Sequence, residues 1–150
     1  MMRIALYQPE IAGNVGAILR LAACFGVGVD IIEPCGFVFT DARLKRAGMD
    51  YIEHVELVRH ADWDAFRAQN TGRLMLMTTH GTDALHQATF RPDDVLLFGN
   101  EGSGVPKEVA AICDERLRIA IRPEARSFNL SVACGIAVAE ALRQTGGLPL

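Results

Sequence analysis

Short apolar runs alternate with stretches of helical periodicity along the whole chain, and this alternation limits the fold more than any other feature. The strand-like runs cover residues 4–7, 29–32, 74–78, 95–98 and 117–121. The helical patterns lie near residues 15–25, 41–47, 62–69, 106–112 and 130–144. Strands that alternate with helices form a mostly parallel sheet with helices on both faces. The sequence therefore predicts an α/β fold, with one domain over residues 1–150.

Composition indicates a soluble globular protein, because 50% of the residues are hydrophobic and charges of both signs occur. Residues 1–4 lead directly into the first strand-like run rather than into a secretory signal. No apolar run is long enough to cross a bilayer. We therefore expect a cytoplasmic protein with no membrane contact. The net charge of −3 disfavours nucleic-acid binding through bulk charge, which leaves a local basic patch, densest at residues 43–46, as the remaining route.

The four cysteines carry no pattern of a metal site or of a disulfide framework. Cys24, Cys35, Cys113 and Cys134 form no CxxC pair, and no histidine lies at metal-ligand spacing from them. Free cysteines behave as small hydrophobic residues. We therefore expect reduced, buried thiols and no bound metal.

Two predicted helices lack the charged face that a surface helix needs. Between Glu10 and Asp30 the one charged residue is Arg20, and no charge occurs from Asn129 to Ala139. Since a surface helix shows a polar face, both helices must be covered nearly all round. A homodimer formed through these two helices would cover them, because obligate interfaces resemble a core cut in half. The alternative is that other segments of the same chain cover both helices.

The first segment with polar residues that packing alone would not choose runs from residue 13 to residue 20. Asn14 is placed as a helix N-cap. Gly16 lies one turn before Arg20 and leaves space beside its guanidinium. A lone buried arginine needs a partner, because an unpaired buried charge is costly. Either a structural carboxylate or an anionic substrate would serve.

The second segment is a glycine-rich loop that directly follows the strand-like run 95–98. Gly99 and Gly104 bound the loop, and Pro106 suits the first turn of the helix that follows. Ligands of open α/β sheets bind at the carboxyl ends of strands. The loop is not a P-loop, because Val105-Pro106 stands where Lys-Ser/Thr is required, and no G-x-G-x-x-G is present. Binding of a nucleotide-like ligand and a plain tight turn are both compatible with this loop.

The third segment follows the last strand-like run and opens the last helix. Ser127, Asn129 and Ser131 crowd the helix start, and Arg122 and Arg126 flank the loop. One of the three polar residues is enough for a cap, so the others are spare polar groups at a positively polarised helix end. A redundantly capped helix is the alternative interpretation.

Together and in this order, the segments resemble the three motifs of the SPOUT methyltransferases, specifically the SpoU-type ribose methylases. The family patterns are Asn-x-Gly-x-x-x-Arg, Gly-x-Glu-x-x-Gly and Ser-x-Asn-x-Ser. The residues that match them are Asn14, Gly16, Arg20, Gly99, Glu101, Gly104, Ser127, Asn129 and Ser131. Residues 7–11, 32–34, 46–51 and 141–144 are similar to the minimal, single-domain branch, the tRNA (cytidine/uridine 2'-O)-methyltransferases of the wobble position.

The resemblance implies a C-terminal deep trefoil knot, a homodimer, a tRNA substrate, and S-adenosylmethionine as the cofactor with S-adenosylhomocysteine as its product. It implies that Arg20 acts on the 2'-hydroxyl, and that the catalytic pocket is shaped by Asn14, Glu101 and Asn129. It also implies that the cofactor is bound at Met77, Gly99, Ile119, Ser127 and Leu130. Arg20 would act either as a general base or by stabilising the oxyanion, and the second is physically easier because a guanidinium stays protonated.

Two motifs depart from the wobble-position branch. That branch usually has Asn-Thr-Gly and Gly-Pro-Glu, where this chain has Asn14-Val15-Gly16 and Gly99-Asn100-Glu101. The methylated nucleotide is therefore open: a ribose at another tRNA or rRNA position is an alternative. A catalytically silent RNA-binding dimer of the same fold is a second alternative. The missing phosphate fingerprints disfavour a third, a nucleotide- or NAD-dependent enzyme.

Overall fold

The computed structural model describes residues 1–40, 42, 44, 46 and 49–150, and within them the chain alternates strands with helices. The strands are β1 (Arg3–Tyr7), β2 (Gly28–Ile32), β3 (Leu57–His60), β4 (Leu74–Met77), β5 (Asp83–Ala84), β6 (Val95–Phe98) and β7 (Glu115–Arg118). The α-helices are α1 (Ala12–Phe25), α2 (Trp63–Gln69), α3 (Lys107–Ile112) and α4 (Leu130–Thr145). Short 3₁₀ helices cover Met49–His54 and Leu85–Gln87.

The seven strands form one sheet in the order β3-β2-β1-β6-β4-β7-β5, and every pairing is parallel. Because the strands are parallel, their carboxyl ends and the loops that follow them meet at one edge of the sheet. This is the α/β architecture that the sequence predicts.

Each face of the sheet has its own apolar core, because successive side chains of a strand point to opposite faces. Ile4 and Leu6 of β1 face a core built with α1 and α4. Ala5 faces a second core that includes Phe66 of α2 and Val109 of α3. The sheet is thus covered on both sides, which explains why β2, β4 and β6 are buried throughout.

Two strands and the bounds of some elements differ from the prediction, including α1, which begins at Ala12 instead of residue 15. β3 and β5 were not predicted: β3 contains Arg59 and His60 and is half-exposed, and β5 is a two-residue edge strand, so neither forms a continuous apolar run. β7 covers Glu115–Arg118 instead of residues 117–121, because its first residues are charged. The helix predicted over residues 41–47 and the basic run 43–46 fall largely outside the described residues.

The cysteines are all free thiols, but the prediction that they are all buried is wrong. Cys113 and Cys134 are buried, whereas Cys35 is partly exposed and Cys24 is exposed on α1. Burial raises the pKa of the Cys113 thiol to about 11. A buried thiol of this kind is inert at neutral pH.

No helix in the described part of the chain is long and apolar enough to cross a membrane.

Candidate active site

The three sequence motifs meet at the carboxyl edge of the sheet, next to its central strands. β1 pairs with β6, so the segment after β1 and the glycine-rich loop after β6 lie side by side. Asn14 lies in the first turn of α1, and Glu101 lies in the glycine-rich loop. Asn129 is the N-cap of α4. Three residues that are far apart in the sequence therefore come together in one pocket.

The Glu101 carboxylate binds the chain segment that leads into α1. Its Oε1 accepts from the backbone N–H of Glu10 at 3.0 Å, and its Oε2 accepts from the N–H of Ile11 at 2.8 Å and from Asn14 Nδ2 at 3.3 Å. Hydrogen bonds to a carboxylate are about twice as strong as neutral ones, and a helix N-terminus attracts negative charge. Glu101 thus fixes the glycine-rich loop against the start of α1.

Asn14 connects Glu101 to the last helix. It is 6% exposed, donates to Glu101, and accepts from Asn129 Nδ2 through its own Oδ1 at 3.1 Å. The prediction that Asn14 caps α1 is wrong: the helix begins at Ala12 with Ile11 at the N-cap, because Glu101 already binds this helix entry. Asn14 is free to use both ends of its amide for the pocket.

The sequence predicts that one of Ser127, Asn129 and Ser131 caps the last helix, and in the structure Asn129 is the N-cap of α4. Its Oδ1 accepts from the backbone N–H of Ser131 at 2.9 Å and from the Ser131 hydroxyl at 2.6 Å. Its Nδ2 donates to Asn14. The result is a continuous hydrogen-bonded chain, Glu101–Asn14–Asn129–Ser131, that joins all three motif regions and fixes the orientation of each amide.

Asn100 was not predicted as a site residue, yet it fixes the shape of the glycine-rich loop. Its side chain donates to the Gln8 carbonyl at 2.6 Å and accepts from the N–H groups of Gly102 and Ser103 at 2.9 and 3.0 Å. Its backbone exchanges two 2.9 Å hydrogen bonds with Gly104. Asparagine between glycines is a turn-forming pattern, and this is the signal that could have identified it.

Gly99 is required by close packing within the loop. A Cβ at Gly99 would lie 2.6 Å from the Cα of Gly104, so a larger residue would force the two strands of the loop apart. The bare backbone at this position follows β6 directly and faces the edge where ligands of parallel sheets bind.

Four of the five predicted cofactor-binding residues lie at this edge, and three of them, Met77, Ile119 and Leu130, belong to the core on the α1–α4 side. β4 lies between β6 and β7, with Met77 level with Phe98 on one side and Leu117 on the other. Gly99 directly follows Phe98 and Ile119 is two residues after Leu117, so both flank the end of β4. Ile119 and Leu130 are partly buried against the same core, whereas Ser127 lies on the exposed loop between β7 and α4.

Arg20 lies apart from this pocket. It is exposed rather than buried, so the prediction that it needs a partner to avoid a buried charge is wrong. Its guanidinium carbon lies 5.2 Å from the centre of the Tyr51 ring, an arrangement that suits a cation–π contact. Arg20 is six positions after Asn14, which on a helix is about 9 Å along the axis and about 240° around it. One chain by itself therefore does not bring Arg20 to Asn14, Glu101 and Asn129.

In the described residues, no group of three or more His, Cys, Asp or Glu side chains could hold a metal ion. The polar atoms around Asn14 are amides, one carboxylate and backbone groups. Such groups can orient a hydroxyl or a base.

Comparison with known proteins identifies relatives along the whole chain. Residues 1–139 match the model of the SpoU rRNA methylase family. A tRNA (cytidine(34)-2'-O)-methyltransferase of Beijerinckia indica is 50% identical over 148 residues, which cover 97% of this chain and 92% of that protein. The relative of the same name from Escherichia coli K12 is 44% identical over 149 residues, which cover 97% and 95%.

Solved structures of methyltransferases are also similar to this chain. One described as giving structural insights into the 2-OH methylation of C/U34 on tRNA superimposes with a TM-score of 0.91 at 42% identity, covering 96% of this chain and 95% of that one. An AdoMet-bound rRNA methyltransferase from Sinorhizobium meliloti superimposes with a TM-score of 0.85 at 28% identity. That alignment covers 95% of this chain and 56% of the longer one.

Proposed function

This chain belongs to the SpoU rRNA methylase family, and from that premise we propose that it is an S-adenosylmethionine-dependent tRNA 2'-O-methyltransferase. Its target is the ribose of the wobble nucleotide, a cytidine or carboxymethylaminomethyluridine, in the anticodon loop. The observation that carries the proposal is the hydrogen-bonded chain from Glu101 through Asn14 to Asn129, which joins the three motifs in one pocket. Relatives named for this reaction match 97% of the chain.

The residues at the carboxyl ends of β4, β6 and β7 fit S-adenosylmethionine. Met77, Ile119 and Leu130 are apolar and lie against one core, which suits the flat face of adenine. The bare backbone of Gly99 allows close approach of a ribose. When bound, this cofactor supplies an electrophilic methyl group on a sulfonium. The related AdoMet-bound structure supports the assignment.

The pocket residues act by positioning. Attack of the ribose 2'-oxygen on a methyl carbon is an in-line displacement, and correct placement supplies a large part of the barrier reduction. The amides of Asn14 and Asn129 are each held by two partners, so they are already oriented before the RNA arrives. Glu101 maintains that orientation from the loop. Arg20 stabilises the developing oxyanion or the adjacent phosphate, and the hydroxyl proton leaves to phosphate or water.

A homodimer completes this site. On α4 the apolar residues Val132 and Ile136 are 49% and 36% exposed, so the chain does not cover its own uncharged helices. Leu21 of α1 lies against Gly135 of α4, which makes the two helices one continuous surface. Arg20 lies on the exposed part of α1, away from the pocket of its own chain. A second copy packed on this surface brings Arg20 of one chain to the pocket of the other.

Mixed dimers test this arrangement. Arg20→Ala and Glu101→Gln chains, each inactive alone, are combined after partial unfolding and refolding. If each site draws Arg20 from the partner subunit, one site of each mixed dimer is intact and about a quarter of wild-type activity returns. No recovery would show that Arg20 serves its own chain.

The C-terminal segment is proposed to form the trefoil knot of the family, in a single cytoplasmic domain over residues 1–150. Gln144 near the end of α4 donates to the Ala88 carbonyl at 3.0 Å and accepts from the Phe90 N–H at 3.0 Å. These contacts fix the end of the last helix against the connection between β5 and β6, as expected if the chain passes through that loop.

The decisive experiment measures transfer of labelled methyl from S-adenosylmethionine to total tRNA and then maps the modified nucleotide. Wild type is expected to label an anticodon-loop ribose. Arg20→Ala is expected to abolish turnover with nearly unchanged affinity for S-adenosylhomocysteine, measured by calorimetry. Loss of both together would contradict the role of Arg20. Cofactor binding without label in tRNA would redirect the search to rRNA, and absence of cofactor binding would indicate a silent RNA-binding dimer.

A further inference from the structure

A second concavity lies at the same edge of the sheet, beside the carboxyl ends of β2 and β3. It encloses about 620 Å³. Its walls are the segment 33–40 that follows β2 and the end of β3, with Phe37, Phe39 and Arg59 as the largest side chains. The proposed methyl transfer uses none of these three residues. We refer to this concavity as the aromatic groove.

The aromatic groove contains a flat stacked surface. The Arg59 guanidinium carbon lies 3.9 Å from the centre of the Phe39 ring, and Arg59 Nη2 donates to Glu33 Oε1 at 2.7 Å. The Phe37 and Phe39 rings are 5.8 Å apart and tilted by 32°. Since the Arg59 side chain is 46% exposed, the stack is fixed but open to solvent. A planar cation on an aromatic ring is a surface on which a nucleobase stacks well.

The aromatic groove and the active-site pocket share a wall. The Gly36 N–H donates to the Pro9 carbonyl at 2.9 Å, and a Cβ at Gly36 would lie 2.8 Å from the Glu10 Cα. Glu10 is in turn bound by Glu101 through its backbone N–H. Residues 9–10 therefore contact the aromatic groove on one side and the Glu101–Asn14–Asn129 network on the other, so the two lie next to each other.

The charge of the groove is balanced, which suits a base more than a phosphate. Glu33 neutralises Arg59 locally. Burial and the neighbouring carboxylate of Glu33 raise the pKa of the Cys35 thiol to about 11, so this thiol carries no charge at neutral pH.

We propose that the aromatic groove binds an unpaired nucleotide next to the methylated one, with its base stacked on the Arg59–Phe39 pair. The proposal rests on the proposed function, because it needs an RNA loop in the adjacent pocket. Bases of RNA loops are readily splayed out and stacked on aromatic or guanidinium planes. Stacking holds the RNA in register, so the target ribose reaches the pocket.

Substitutions in the groove are expected to weaken RNA binding alone. Phe39→Leu and Arg59→Gln should each raise the KM for tRNA by about tenfold, with S-adenosylhomocysteine affinity unchanged. Phe39→Tyr retains the ring and should restore the wild-type KM. Arg91→Gln is the charge-matched control, because Arg91 is exposed and precedes β6 at the opposite edge of the sheet.

A double-mutant cycle with the RNA identifies the stacked base. Phe39→Leu and wild type are compared on tRNA that carries an abasic site immediately 5' or 3' of the target nucleotide. If a base stacks on the groove, its removal and Phe39→Leu each raise the KM about tenfold, and together they raise it no further. Additive effects at both neighbours, or a wild-type KM for Phe39→Leu and Arg59→Gln, would overturn the proposal. Failure of wild type to methylate intact tRNA would instead refute the proposed function.

Discussion

Asp30 and Glu101 are two carboxylates near the central strands, and they differ in the kind of partner that holds them. Asp30 is 1% exposed in the middle of β2 and accepts from two side chains, Arg3 Nε at 2.6 Å and His60 Nε2 at 2.7 Å. Glu101 lies in a loop, is partly exposed, and accepts mainly from backbone N–H groups.

We expect this difference to separate a structural carboxylate from a functional one. The partners of Asp30 come from neighbouring strands of the same sheet, so its network ties β1, β2 and β3 together. The Asp30 network lies on the face of the sheet that α2 covers. There the His60 and Phe66 rings meet edge-on, with 5.3 Å between their centroids. The network of Glu101 instead connects a loop to two helix starts. A buried ion pair inside a sheet stabilises, whereas a carboxylate among loops positions other groups.

The largest effect is expected from Asp30→Asn, which removes the buried carboxylate that accepts from Arg3 Nε and His60 Nε2. Removal of one partner of a buried ion pair costs about 3 to 5 kcal/mol. Urea unfolding should show this loss of unfolding free energy, while turnover per folded molecule stays at the wild-type value. Glu56→Gln is the control, because Glu56 contacts the same Arg3 at 3.0 Å but is 62% exposed, and its loss should cost under about 1 kcal/mol. Equal losses of unfolding free energy in Asp30→Asn and Glu56→Gln would contradict a special structural role of Asp30.

Glu101→Gln should produce the opposite pattern. Its new amide N–H₂ group would face the donors of Glu10, Ile11 or Asn14, so the hydrogen-bonded chain breaks. We expect turnover to fall about 100-fold, as for loss of a preorganised polar group, with an unfolding cost of only about 1 to 2 kcal/mol. Glu108→Gln, an exposed carboxylate in the first turn of α3, controls for the change in charge. Wild-type turnover in Glu101→Gln would remove Glu101 from the active site.

The sequence predicts the sheet because its strands depend on local patterns, whereas the grouping of the three motifs follows only from the family resemblance. The apolar runs of β1, β2, β4 and β6 are unambiguous, since strands buried on both faces leave no polar alternation. β3 was missed because Arg59 and His60 are satisfied only by tertiary partners, Glu33 and Asp30.

The same reason explains the errors at the site. Asn14 has the composition of an N-cap, but Glu101, 87 positions later in the chain, takes the neighbouring N–H groups. Arg20 was expected to be buried because the surrounding helix is uncharged, yet that surface is exposed in a single chain. The uncharged pattern of a helix therefore does not by itself predict that every residue on it is buried in the single chain.

The smallest expected difference is between two helix N-caps, one in the Glu101 network and one beside the Asp30 network. Asn129 caps α4 within the Glu101 network, and Asp62 caps α2 beside the Asp30 network by accepting from the Ala65 N–H at 2.8 Å. Replacement of either residue by alanine should cost about 1 kcal/mol of unfolding free energy, because each removes one N-cap. Only Asn129→Ala also leaves Oδ1 of the buried Asn14 amide without its donor, so only this variant should lose turnover, by roughly tenfold. Equal turnover in the two variants would mean that Asn129 stabilises the helix and has no part in positioning the pocket.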